Sequence, residues 1–211
     1  MKPPIKNFNV KNYPEGCITQ WFGENKELYS RMNMNGHNGI DIVAPHGTPI
    51  YSVEDGIVLE VKNDPSGYGK HVRVITNGVE CREWTYGHCD TILVEQNQIV
   101  YSGQQIATMG NTGFVVSGST PYWKYNPFAG THLHLGVRKM LRVKKGWKYI
   151  GSNISLQSVD YDNGFKGAID PKQFIIELSD DSIHKEKLIN IISILTKIVS
   201  LLKKRNEIIN N

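Results

Sequence analysis

The 211-residue sequence predicts a mainly β fold of antiparallel strands, followed by a C-terminal amphipathic α-helix. The chain contains 20 glycines and 9 prolines, a composition that favours turn-rich strands over helices. Short β-branched runs are separated by the hairpin signals Asp55-Gly56 and Asn77-Gly78. A helical spacing of apolar residues begins only beyond residue 180, so the fold class changes there.

The first half of the predicted sheet consists of β-branched runs divided by glycine and proline. Residues 1–36 are expected to be irregular or weakly stranded, with 18–22 as a candidate strand before Gly23. Residues 42–50 predict strand, turn and strand, because Gly47 and Pro49 interrupt an apolar run. Strands over 51–62 and 71–76 follow, and a return strand 79–86 is expected to end at Tyr86-Gly-His88.

The second half combines short strands with one long loop. Runs at 91–94 and 98–110 predict strands, and residues 111–131 form a loop rich in aromatic residues. Loops of this length inside a domain are often binding walls, although a small aromatic cluster packed on the sheet is the alternative. A glycine-bounded strand follows over 130–137, then a further loop or strand pair over 139–165, and 170–177 close the body.

Residues 182–207 are predicted to form a basic amphipathic helix. Asp180, Asp181 and Ser182 suit its N-terminus, and basic residues 203–205 suit the dipole at its C-terminus. Three roles remain open: packing on its own body, self-association or docking on a partner, and contact with an anionic membrane surface. We favour the second because the body is complete without this tail. The apolar stripe is formed by Leu188, Ile191, Leu195, Ile198 and Leu202.

Charge and cysteine content narrow the possible functions. The formal net charge of +4 is contributed by residues 184–211, so the neutral body lacks the basic surface that nucleic-acid binding needs. Cys17, Cys81 and Cys89 are an odd set without a Cys-x-x-Cys motif and are expected to be reduced thiols. Residues 1–10 contain no apolar signal-peptide core, and no run of 18 apolar residues predicts a transmembrane helix.

Two histidines that are two residues apart stand out in the strand 130–137. His132 and His134 should point to the same face, because side chains alternate along a strand. One imidazole could then bind a metal ion while the other acts on the molecule that the metal holds. The alternative is a pair of structural histidines within a sheet.

A second motif offers two more metal-binding side chains. His37 and Asp41 are four residues apart, and imidazole and carboxylate groups are common zinc ligands. With His134 they would supply three ligands and leave a coordination position open, as in catalytic zinc sites. His88 and His132 would then be free to act as general acid or base and as donor to an oxyanion. Taken singly, each could equally be a turn residue or a structural histidine.

Together these motifs resemble the lysostaphin-type (LytM-like) zinc endopeptidases of bacterial cell walls. The family pattern of His-x-x-x-Asp, Tyr-x-His and His-x-His corresponds here to residues 37–41, 86–88 and 132–134. The resemblance covers roughly residues 20–175. Further matching segments are 39–42, 47–50, 55–58, 67–69, 102–106, 109–113 and 131–135.

The resemblance implies a duplicated hybrid motif fold and a peptide bond of a peptidoglycan stem or cross-bridge as substrate. It implies a peptidase domain over residues 1–178, and residues 179–211 form a helical basic tail that the family does not require. The loop before His132 is expanded relative to compact family members, and the tyrosine that holds the oxyanion is not identified by register. The implied site residues are one zinc ion's ligands His37, Asp41 and His134 and the catalytic His88 and His132. From their place in the sequence, Tyr29 and the aromatic-loop residues Tyr122, Trp123 and Tyr125 are expected to line the substrate groove.

A wall substrate combined with the absence of a visible signal peptide suggests a phage or phage-like lysin, released by lysis or carried on a virion. Two alternatives stand beside it: a catalytically weak wall-binding module that keeps the fold, and a virion structural component assembled through the helix. The motifs are compatible with cleavage of either a glycine bridge or a D-alanyl–diamino acid cross-link.

Overall fold

The computed structural model describes residues 1–6, 17–117, 120–121, 126–174, 189 and 191–199, and β-strands dominate it. All strand pairs are antiparallel, as the sequence predicts. A short helix, α1 (Lys26–Ser30), precedes the second strand. The strands are β1 (Cys17–Gln20), β2 (Ile40–Val43), β3 (Pro49–Tyr51), β4 (Gly56–Asp64), β5 (Gly69–Thr76), β6 (Glu80–Ile92), β7 (Ile99–Val100), β8 (Gln105–Met109), β9 (Val116–Ser117), β10 (Thr120–Pro121), β11 (Leu133–Trp147) and β12 (Leu156–Ser158).

One ten-stranded sheet organises the described part of the chain. Its main order is β1-β2-β11-β6-β5-β4-β7, with β12 on β11 and β8 joining β3 to β6. Strands β9 and β10 form a separate pair. The long central strands β11, β6, β5 and β4 therefore provide a platform on which residues distant in sequence become neighbours.

One face of this platform is the apolar core. Leu133, Leu135 and Val137 alternate along β11, and Tyr86 and Trp84 lie opposite the last two on β6. All five are fully or almost fully buried. The strict alternation leaves His134, Gly136 and Arg138 on the other face, which carries the polar groups.

Strand β6 does not end at His88, contrary to the sequence prediction. It continues to Ile92 because it exchanges neighbours: Gly87 pairs with His134 of β11, whereas Cys89 pairs with Met109 of β8. His88 lies between these two pairings with φ of 60°, a left-handed conformation that is uncommon for residues other than glycine. The backbone thus turns at His88 without leaving the sheet.

The segment after 137 also differs from a simple loop. Strand β11 continues to Trp147 and pairs with β12. Of the two alternatives predicted for residues 139–165, a loop or a strand pair, the structure therefore has the strand pair. Within the predicted tail helix, residues 191–199 are helical, and the rest of 182–207 lies outside the described residues except for residue 189. No helix among the described residues is long and apolar enough to span a membrane. Cys81 and Cys89 are buried free thiols, as expected.

Candidate active site

The three predicted metal ligands converge at the edge between β2 and β11. His37 precedes β2, Asp41 lies on it, and His134 of β11 is directly opposite Asp41 in the strand register. The distances are 3.1 Å from His37 Nε2 to Asp41 Oδ1, 3.2 Å from Asp41 Oδ1 to His134 Nδ1, and 2.9 Å between the two imidazole nitrogens. All three residues are buried.

The proton states of this triad favour a cation. His37 Nδ1 lies 3.3 Å from the Trp21 carbonyl, to which it donates, so its Nε2 presents a lone pair to the triad. Burial alone would raise the pKa of Asp41, but His132, His134 and His37 hold it well below its usual range, so the carboxylate is ionised. Burial lowers the pKa of His134 to about 4, which keeps this imidazole neutral.

The geometry of the triad fits zinc. Zinc–nitrogen bonds of about 2.0–2.1 Å in a tetrahedron separate the ligand atoms by roughly 3.3 Å. The observed separations of 2.9 to 3.2 Å are close to that value. His134 Nε2 has no hydrogen-bond partner among the described residues, so Nδ1 is the engaged nitrogen of this ring. The three side chains can therefore hold one zinc ion and leave it open to a substrate.

His88 and His132 form a second pair beside the triad. The His88 Nδ1 donates to the Thr112 carbonyl and the His132 Nδ1 to the Gly130 carbonyl, each over 2.7 Å. Because both Nδ1 atoms carry protons, both Nε2 atoms are available for proton transfer. The two ring centroids are 4.5 Å apart, and His132 Nε2 lies 3.7 Å from Asp41 Oδ2.

The electrostatics of His88 suit a proton acceptor. Burial lowers its pKa well below the usual value, and the neighbouring His132 and His134 lower it further. The ring is thus neutral at neutral pH. Its position is fixed by the left-handed backbone and by the His88 amide, which donates to the Tyr68 carbonyl over 2.7 Å.

Close packing around the triad requires one glycine. A Cβ atom at Gly39, inside the His37–Asp41 motif, would lie 2.6 Å from the Cε1 of His134. This distance is far below van der Waals contact, so any side chain at position 39 would displace the imidazole. Gly39 thereby lets β2 and β11 approach closely enough for the ligands to meet.

A cavity of about 1040 Å³ opens beside the triad and extends over the polar face of the sheet. Tyr29, Tyr68 and His134 line its end at the triad, while Arg138 and Trp147 line its far part. Of the predicted catalytic and metal-binding residues, His88 and His134 line this cavity, which is large enough for a peptide.

Of the predicted groove residues, Tyr29 is the one that the structure describes. It lies on α1, and its ring centroid is 5.4 Å from that of His37. Its hydroxyl accepts a hydrogen bond from Gln20 Nε2 over 3.4 Å. Burial raises the pKa of the phenol, so Tyr29 keeps its proton and can donate to a bound oxyanion. Tyr122, Trp123 and Tyr125 lie outside the described residues.

The sequence reasoning missed Tyr68. Its ring centroid is 4.8 Å from that of His134, and its hydroxyl accepts from Asn38 Nδ2 over 2.7 Å. The Gly67-Tyr-Gly69 segment signals a tight turn, but that signal does not reveal that the turn between β4 and β5 folds over β11. Tyr68 thus forms a wall beside the triad.

A buried charge network under the cavity was also missed. Arg73 donates through Nε to Glu60 over 3.0 Å and through Nη1 to Glu83 over 2.8 Å. Tyr149 donates to the other oxygen of Glu83 over 2.8 Å, and Arg138 Nη1 lies 3.4 Å from Glu83. Glu83 is fully buried, so its charge is compensated entirely by these partners.

Three relatives share part of the sequence. The uncharacterized lipoprotein YgeR of Escherichia coli (strain K12) is 47% identical over 77 residues, which are 36% of this chain and 30% of YgeR. The peptidoglycan DD-endopeptidase ShyB of Vibrio cholerae is 37% identical over 101 residues, 48% of this chain and 20% of ShyB. The murein hydrolase activator NlpD of E. coli is 36% identical over 99 residues, 47% of this chain and 24% of NlpD. The chain spans less than a third of each relative's length.

The fold has a solved counterpart in LytU, with a TM-score of 0.53 and 26% sequence identity over 83% of this chain and 94% of LytU. This likeness confirms the antiparallel fold predicted from the resemblance to lysostaphin-type enzymes. The model of peptidase family M23 matches residues 35–149, more than half of the chain and the region that holds the triad and the histidine pair. The chain therefore belongs to peptidase family M23.

Proposed function

We propose that this chain is a zinc-dependent endopeptidase that hydrolyses peptide bonds in the stem or cross-bridge peptides of peptidoglycan. The observation that carries the proposal is the convergence of His37 Nε2, Asp41 Oδ1 and His134 Nδ1 beside two histidines with free Nε2 atoms. A metal site and a proton-transfer pair, each with one residue lining an open groove, are the parts that peptide hydrolysis requires.

The residues divide the reaction between them. Zinc, when bound by His37, Asp41 and His134, would lower the pKa of water and polarise the scissile carbonyl. His88, whose neutral ring has a free Nε2, takes the proton of the attacking water. The proton that His88 accepts is the one that passes to the leaving amine, and His132, once it carries a proton on Nε2 as well, donates to the developing oxyanion. The protonated Tyr29 is a second donor at the same end of the groove.

Peptidoglycan is proposed as the substrate because a relative of similar sequence acts on it. ShyB, which shares 37% of residues over 101 positions, is named a peptidoglycan DD-endopeptidase. The matched stretch covers 48% of this chain, so peptidoglycan is proposed as the substrate of this chain and is not carried over from ShyB.

A second candidate function is that of an activator or wall-binding module. NlpD, with 36% identity over 99 residues, is named a murein hydrolase activator. A module of this kind, or a virion structural component, could keep the fold and even the metal without turnover. The complete histidine pair, with both Nδ1 atoms anchored on carbonyls, favours the enzyme over these alternatives.

Mass spectrometry of fragments released from purified sacculi of several wall chemotypes tests the proposal. The zinc-loaded protein is expected to create new amine ends on one wall type, and the His132→Ala variant is expected to create them at least about 100-fold more slowly. Zinc binding without release from any wall would contradict the enzyme and favour the activator.

The tail is proposed as a separate unit that begins near residue 179. Its described helix, residues 191–199, exposes several apolar side chains, including Ile191, Leu195 and Ile198. We propose self-association or docking on a partner through 182–207, with the membrane surface as the alternative. Light scattering should give the mass of an oligomer for the full chain and of a monomer for a variant that ends at residue 181. Two monomers would contradict self-association. Two monomers that also fail to bind anionic vesicles would leave docking on a partner protein as the role of the tail.

The proposed place of action is the cell wall. The support is the relative ShyB, which is named a peptidoglycan DD-endopeptidase. We propose release by lysis or carriage on a virion, and a leader upstream in the native reading frame would contradict this proposal.

A further inference from the structure

The polar face of β11 continues beyond the metal triad to one arginine. His134, Gly136 and Arg138 alternate on this face, opposite Gly87, Thr85 and Glu83 of β6. Gly136 is the residue between His134 and Arg138 on this face, and a Cβ atom there would lie 3.3 Å from His134 Nε2. Four residues of strand separate the Cα atoms of His134 and Arg138 by roughly 13 Å.

Arg138 has unused hydrogen-bonding capacity. Its guanidinium contacts Glu83 Oε1 at 3.4 Å, and that oxygen already accepts from Arg73 Nη1 over 2.8 Å. The other oxygen of Glu83 accepts from Tyr149 over 2.8 Å. Among the described residues, the remaining donors of Arg138 have no partner, although its side chain is only 15% exposed.

The charges around the cavity favour an anion. Glu60, which lines the cavity, is held by Arg73 and His71, and Glu83 below it is shared between two arginines. The five cationic lining residues outnumber the lining acids Glu60 and Asp64 even when Glu83 is added to the acids. The cations are Lys62, Arg73, Arg138, Lys145 and Lys166.

We propose that Arg138 binds a carboxylate of the peptide substrate and thereby selects acidic stem peptides over uncharged glycine bridges. This inference rests on the proposed function. A guanidinium with free donors in a half-enclosed pocket matches a carboxylate in a two-pronged geometry that lysine does not reproduce. The separation of roughly 13 Å between His134 and Arg138 along β11 places the bound carboxylate a few substrate residues away from the scissile bond.

Two carboxylates of a stem peptide could supply this group. One belongs to the γ-linked glutamate and the other to the diamino acid of the cross-link. Three un-cross-linked stem tetrapeptides, all amidated at the C-terminus, distinguish them: one with both side-chain carboxylates free, one with the glutamate amidated and one with the diamino acid amidated. Calorimetry with the zinc-loaded full chain measures their affinities, and none offers a cross-link to cut.

The wild-type chain is expected to bind the free acid roughly 10- to 100-fold more tightly than one of the two amides. Arg138→Gln should bring this ratio close to one, and Arg138→Lys should keep a reduced preference. Lys139→Gln is the matched control, because Lys139 is the next residue on β11, is exposed and does not line the cavity. It should keep the wild-type ratio.

Equal binding of acid and amides by the wild-type chain would overturn the proposal, and this comparison stands even if Arg138→Gln fails to fold. An unchanged ratio in both Arg138 variants, or an equal loss in Lys139→Gln, would also overturn it. A preserved preference in a chain that cleaves no wall would contradict the proposed endopeptidase and leave the carboxylate site intact.

Discussion

The two faces of β11 use the same strand for opposite purposes. Leu133, Leu135 and Val137 are buried in an apolar core, where shape and volume determine stability. His134 and Arg138, which alternate with them, face a polar cavity lined by charged and aromatic side chains. A change of one position along the strand therefore exchanges a structural residue for one of the candidate site.

The polar face nonetheless depends on buried interactions of its own. Arg73 and Glu83 are both buried, and Arg73 Nη1 donates a hydrogen bond to Glu83 Oε1 over 2.8 Å. Such a network contributes little net stability compared with apolar packing, but it is costly to break in part. Because Arg73 and Glu83 are paired with each other, the floor of the cavity keeps a fixed shape.

The largest expected effect is on activity. His88→Ala and His132→Ala should each reduce peptide hydrolysis by about 10²- to 10⁴-fold, because each removes a proton-transfer group. Cleavage of purified sacculi, followed by release of soluble fragments, measures the loss. Lys139→Gln, on the opposite face of β11, should retain full activity, and a loss of less than 3-fold in both histidine variants would contradict their roles.

A charge removed from the polar face should destabilise the fold about as much as a large core truncation. Arg73→Met leaves Glu60 and Glu83 without their main partner and should lower the free energy of unfolding by about 3–5 kcal/mol. Urea denaturation of the wild-type and variant chains measures the difference. A change below about 1 kcal/mol would mean that the buried acids find other partners.

A truncation on the apolar face should affect stability and spare the metal. Leu135→Ala removes a fully buried side chain and is expected to cost about 2–5 kcal/mol. Val79→Ala, at a position 71% exposed, is the control and should change stability by less than about 0.5 kcal/mol. Zinc content of folded Leu135→Ala should equal that of the wild type; a loss of zinc would show that the faces are not independent.

The smallest expected effect is on the pH dependence of stability, and it concerns the ion pair between Glu54 and Arg82. Burial alone would raise the pKa of Glu54, but hydrogen bonds from Arg82 and Trp84 lower it below the ordinary 4.5. A lowered pKa in the folded state stabilises the fold above pH 4.5, and this contribution is lost as the pH falls further. Glu54→Gln should cost about 1 kcal/mol at pH 7, and less below pH 4.5. Melting curves from pH 7 to 3 measure the convergence, and parallel curves would contradict it.

The sequence predicted those parts of the molecule that depend on local patterns. The period of two residues assigned His132 and His134 to one face, and turn signals with β-branched runs predicted the antiparallel sheet. The family pattern named His37 and Asp41 as partners of His134, and the structure brings the three together. Each of these inferences needs only nearby residues or a motif.

Features that depend on register were not predictable in the same way. Arg73 lies between two valines and resembles the exposed position of an ordinary strand, and only its pairing with Thr85 brings it next to Glu83. His88 has no glycine-like signal for its left-handed backbone, which arises because β6 changes partners there. Strand neighbours distant in sequence determine both features.

Zinc content of two variants on the same strand tests the central claim most directly. After dialysis against zinc-free buffer, His132→Ala should retain one zinc per chain, since the role proposed for His132 is proton transfer outside the triad. His134→Ala should lose it, because one of three ligands is gone. Equal retention or equal loss in two folded variants would contradict the division of this strand's histidines between metal binding and catalysis.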